Sequence, residues 1–102
     1  MNAYVSGVAY FGTDNTDKKR NPKAITDLKN ITPFNFDEMS KRERDVVMLE
    51  AMGHTLSLKI KIQKNPVATS KQYVIINDVM YSISYIDKYG NDMFVYLEAI
   101  SK

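Results

Sequence analysis

Residues 73–100 read YVIINDVMYSISYIDKYGNDMFVYLEAI. Apolar and β-branched residues recur here with period two, and two short polar breaks divide them. Residues 73–76 and 79–86 are expected strands joined by Asn77 and Asp78, which tolerate the positive φ of a two-residue hairpin turn. A second turn spans residues 88–91 around Gly90, and residues 93–100 form the last strand. Val79, Tyr81, Ile83 and Tyr85 are assigned to one face, Met80, Ser82 and Ser84 to the other. Such a meander packs one face inward and leaves the other partly wet.

The preceding segments extend this sheet. In TLSLKIKIQ, residues 55–63, Leu56, Leu58, Ile60 and Ile62 alternate with Ser57, Lys59, Lys61 and Gln63, the pattern of a half-buried strand. Residues 64–71, KNPVATSK, are a loop broken by Asn65-Pro66. Upstream, SKRERDVVMLEAMG gives one helix over residues 40–52, with Ser40 and Glu43 as a capping box and Gly53 as the left-handed stop. Met48, Leu49 and Met52 share a face, with Asp45 on its flank and Val47 and Ala51 widening the stripe. A helix this short needs a sheet to dock on.

Residues 3–11 suit a strand, and residues 31–36 a short one that Pro33 confines to an edge. Between them residues 12–30 form a long polar loop of the kind that orders against a partner; Asp14, Lys18, Lys19, Arg20 and Lys23 are its candidate contact residues. The expected fold is mainly β with one helix (α+β): a small antiparallel barrel or sandwich of five to six strands, helix 40–52 packed on it, in one domain covering 1–102.

Composition narrows the function. A chain of 102 residues with 44% hydrophobic and 25% charged residues supports one small core and no deep cleft. With no cysteine, disulfides and thiolate metal sites are excluded, and a reducing, intracellular origin is expected. The N-terminus lacks the basic and apolar regions of a signal peptide, and no apolar run approaches the ~20 residues of a membrane span. The chain is therefore expected to be a complete cytosolic product with no membrane partner. Net charge is only +2, but residues 51–77 carry Lys59, Lys61, Lys64 and Lys71 and no acid. That run reads either as a solvated face or as one end of a molecule with unlike ends.

No constellation for chemistry emerges. The one histidine, His54, follows the helix and reads as a helix-end residue favoured by the dipole. Asp87 and Asp92 flank a turn and suit turn chemistry. The four glycines are isolated, so no phosphate-cradling loop is present. An enzyme is not expected, nor a cofactor or metal. A barrel that stacks nucleic-acid bases would need aromatics among the basic residues; Tyr73 and Tyr96 are the candidates beside Lys59 and Lys61.

The order of elements, with Ser40 and Glu43 opening the helix, the Ile- and Lys-rich run 58–62, and Tyr81 and Ile83 in a late strand, resembles the head-closure, or head–tail adaptor (stopper), proteins of long-tailed bacteriophages. The resemblance covers roughly residues 31–100; where the family often has a glycine before its Tyr-x-Ile strand, this chain has Asn77-Asp78. It implies a virion structural protein of the neck, assembled in the host cytoplasm. Its subunits form a homo-oligomeric ring, expected twelvefold, below the portal and adaptor rings; the ring extends and closes the channel for packaged double-stranded DNA and offers a surface to the tail-terminator proteins. On this reading Lys59, Lys61, Lys64, Asn65 and Lys71 are the candidate channel side and gating loop, since a channel carrying DNA favours lysines over acids. The alternatives are a tail-terminator ring subunit and a nucleic-acid-binding small barrel.

Overall fold

Asn77 and Asp78 both take positive φ, 51° and 64°, and close the first hairpin of the meander as a two-residue turn. Gly90 (φ 61°) with Asn91 closes the second, and only the first of its two central residues is left-handed, which is where a type II′ turn places glycine. A Cβ at Gly90 meets nothing within 4 Å, so Gly90→Ala pays only the backbone cost of a positive φ, about 1–3 kcal/mol. Urea unfolding of that variant is the measurement; an unchanged midpoint contradicts the turn.

The computed structural model describes residues 7–14 and 28–100. Six strands, β1 (Gly7–Asp14), β2 (Leu28–Met39), β3 (Leu58–Gln63), β4 (Tyr73–Ile76), β5 (Val79–Tyr89) and β6 (Asp92–Ala99), close into one antiparallel barrel in the order β1-β2-β3-β6-β5-β4. Helix α1 (Glu43–Ala51) lies between β2 and β3 in sequence, and a 3-10 turn (Pro66–Ser70) lies between β3 and β4. Alternation fills the interior: Ala9 and Phe11 from β1, Ile60 and Ile62 from β3, Val74 and Ile76 from β4, and Met93, Val95 and Leu97 from β6. Phe34 of β2 meets Phe11 edge-on at 5.1 Å between ring centres. The connection from β3 to β4 joins strands that are not neighbours, and its Ala68 is fully buried in the core.

Four expectations need correction. First, β1 continues to Asp14, past the expected end at residue 11 (residues 3–6 lie outside the described residues), and β2 spans Leu28–Met39 in place of the expected 31–36, so the polar loop is shorter than 12–30. Polar ends do not stop these strands because they pair with each other, Thr13 with Lys29 and Asp14 with Leu28. Pro33 still sits where, among the described residues, β2 has a neighbour on one side: β2 meets β3 only through Asp37, Glu38 and Met39. Second, the register of β5 against β6 shifts between Ile83 and Tyr85, so Ser84 is an extra residue and its buried hydroxyl has no hydrogen-bond partner among the described residues. Tyr85 is thereby thrown to the outer face, away from Tyr81 and Ile83, while Ile86 packs on the core.

Third, α1 begins two residues late. Its N-cap is Arg42, not Ser40, and the Arg42 backbone N–H donates to Asp45 Oδ2 (3.4 Å) in place of a bond to Glu43. The buried face is Asp45 and Leu49, flanked by Val46 and Met48; Val47, Ala51 and Met52 are exposed. Gly53 (φ 85°) does end the helix. Fourth, Leu56 precedes β3 and packs outside the barrel, under α1 with Leu49 and Tyr96. The helix thus docks on the outer face of β3 and β6, which explains why both faces of β6 are apolar.

Candidate functional site

The outer face of β3, β6 and β5 and the N-terminal turn of α1 enclose a groove of about 800 Å3. Period-two alternation sends Phe94 and Tyr96 of β6 into its floor while Met93, Val95 and Leu97 point into the barrel. The bulge at Ser84 resets β5 so that Tyr85, Asp87 and Tyr89 line the floor's far side. Arg42, Arg44 and Met48 form the helix side. Tyr85 and Tyr96 meet edge-on at 5.6 Å, and Tyr89 is 74% exposed.

At the bottom lies a buried ion pair. Lys59 Nζ donates to Asp45 Oδ2 at 3.0 Å and stands 5.2 Å from the ring centres of both Phe94 and Tyr96. The Tyr96 hydroxyl donates to Asp45 Oδ1 at 3.4 Å. Burial pushes the Asp45 carboxyl up, but the Lys59 hydrogen bond and charge, with the Arg42 N–H and the Tyr96 hydroxyl, outweigh it and hold the group below its ordinary 3.8. Burial, then the negative charges of Asp45 and Asp87, pushes the Tyr96 phenol up to about 12. The lysine charge is taken out of water but compensated on every side: a carboxylate below, ring faces around it.

The expected channel residues fall in two places. Lys59 does leave the barrel on the outer face of β3, but α1 covers it, leaving it 7% exposed; it is not on a solvent or channel surface. Lys61, on the same face, lies 4.0 Å from Asp37 and is half-buried. Lys64, Asn65 and Lys71 all lie on the connection between β3 and β4, Lys64 and Asn65 at its start and Lys71 at its end. Asn65 caps the 3-10 turn by accepting from the Val67 N–H (2.9 Å), and Lys71 Nζ donates to the Asn30 carbonyl of β2. Lys64 is exposed. Of the expected partner-contact loop, only the backbone of Asp14 is described; Lys18, Lys19, Arg20 and Lys23 lie outside the described residues.

His54 Nδ1 lies 3.1 Å from Glu98 Oε1, and the Thr55 N–H donates to Glu98 Oε2, so the helix end is tied to β6. Among the described residues no three His, Asp or Glu side chains gather as a metal site. Tyr73, considered above as a stacking residue, packs on the other side of the barrel against the cluster Leu28, Ile75 and Met80. Sequence reasoning missed the groove because it grouped Tyr85 with the core and read Lys59 as wet. The available signal was β6, whose two apolar faces require a second cover. Compared with known proteins, the chain matches no family model, no curated sequence and no solved structure.

Proposed function

We propose that this chain is a structural joint, a ring subunit of the connector between the head and tail of a long-tailed bacteriophage. The observation that carries the reading is a closed barrel with unlike outer faces on opposite sides. In the six-strand order β6 lies three strands from β1 either way round. The β6 side holds α1, two arginines and the aromatic groove. The β1 side exposes Val8 and Tyr10, with Ile31 from β2 beside them. A head-to-tail contact that closes by rotation needs two different patches on one body, and this arrangement supplies them. In this reading the connection bearing Lys64, Asn65 and Lys71 faces the packaged DNA, and the portal–adaptor ring is the partner that templates assembly.

The test offers the protein a purified portal–adaptor complex and, separately, labelled single-stranded DNA at roughly 50 and 200 mM salt. Retention on the complex at both salt concentrations, with only weak DNA binding, is the expected result. Tight DNA binding that collapses with salt, without retention on the complex, overturns the joint in favour of a nucleic-acid-binding barrel.

A further inference from the structure

The groove is walled on one side by α1 and is open on the other, along β5. β4 pairs β5 only through Val79 to Ser82, and the Ile83 N–H still reaches the Gln72 carbonyl (3.1 Å). Beyond that, among the described residues, 85–89 pair with β6 alone. The two-residue turn makes Tyr89 and Asp92 the closing hydrogen-bonded pair, so direction alternates back along the strand. Tyr85, Asp87 and Tyr89 direct their main-chain groups to β6; Ile86 and Lys88 direct theirs away from it. The geometry points to residues 85–89 as a docking edge for an extended segment of a different polypeptide, which adds to β5 as a strand and supplies the missing wall of the groove.

The occupant's chemistry follows from the edge. Main-chain donors and acceptors spaced two residues apart are matched by another strand. Tyr85 and Tyr89 on the outer face favour β-branched or aromatic residues opposite them, and Asp87 between them favours a base. A second copy of this chain is disfavoured. In the antiparallel register that uses both free residues, Ile86 faces Lys88 and Asp87 falls opposite the same aspartate of the other copy, a like-charge pair. Among the described residues, the one-sided part of β2 is blunted by Pro33, and the stretch Gly7, Val8 and Ala9 of β1, which lacks a β4 partner, is a shorter edge than residues 85–89; β5 has no proline.

The probe is the peptide acetyl-Thr-Thr-Val-Lys-Val-Thr-Thr-amide at about one millimolar, with amide exchange read by NMR. Exchange at Ile86 and Lys88 should slow about tenfold, while Tyr85, Asp87 and Tyr89, already bonded to β6, change little. Replacing the peptide lysine by glutamate should weaken binding roughly two- to fivefold. Lys88→Pro removes an outward N–H and should abolish the effect; if that variant does not fold, the exchange pattern decides alone. Unaltered exchange at Ile86 and Lys88, or slowing centred on another strand, overturns the proposal. The peptide result does not depend on the portal–adaptor complex, so the edge and the connector reading fail separately.

Discussion

Lys59→Met should cost about 3–5 kcal/mol in urea unfolding at neutral pH, because it leaves the Asp45 carboxylate buried without its partner. The methionine keeps the apolar stem between Phe94 and Tyr96, so lost packing contributes little. The double variant Asp45→Leu/Lys59→Met should return to within about 1 kcal/mol of the parent, since a well-packed apolar pair replaces a buried ion pair at little net cost. A single variant that costs under about 1 kcal/mol would mean that water reaches Asp45. The pH dependence has two limbs. Asp45 is held below 3.8 in the folded state, so its contribution is present above 3.8 and lost as pH falls through the lowered value. Tyr96 binds its proton more tightly when folded, about 12 against an ordinary 10.0, so its contribution is full below pH 10.0 and lost as pH rises toward 12. Tyr96→Phe should remove the alkaline limb.

Phe11→Ala should destabilise by about 3–5 kcal/mol, the transfer and cavity cost of a fully buried ring in the barrel centre. Its neighbour Tyr10 points outward and is 39% exposed, so Tyr10→Ala should cost under about 1 kcal/mol. The contrast checks the register of β1, because a slip of one residue would exchange the two effects. The comparison also bears on function. If Tyr10 belongs to a subunit contact, its replacement should spare stability and impair assembly, a split that a core residue does not give.

The strands were legible where side-chain period and turn chemistry agreed. β3 alternates without a break, β6 is a continuous apolar run that starts at a turn, and Asn77-Asp78 and Gly90-Asn91 carry the residues their turns require. Legibility failed where tertiary pairing overrode the local signal. Ser84 carries no sequence mark of a bulge, yet it inverts the alternation of β5 and sends Tyr85 into the groove. The polar ends of β1 and β2 look like loop, but each gains a ladder partner in the other. Ser40 and Glu43 have the spacing of a capping box, but the first turn is closed by the Arg42 N–H on Asp45, whose carboxylate also accepts from Lys59 across the helix–sheet contact that the sequence does not mark. The same contact hides Lys59: an acid on the flank of the helix stripe and a lysine in the strand beyond it were both visible in the sequence, and only the docking of α1 on β3 joins them.

The most direct test of the connector reading is electron microscopy of this chain bound to a purified portal–adaptor complex. A closed ring of barrels coaxial with the portal is expected, with α1 and the β1 face on opposite sides of each subunit and the connection carrying Lys64 and Lys71 toward the axis. Single copies attached off-axis, or no added density at saturating protein, would contradict it.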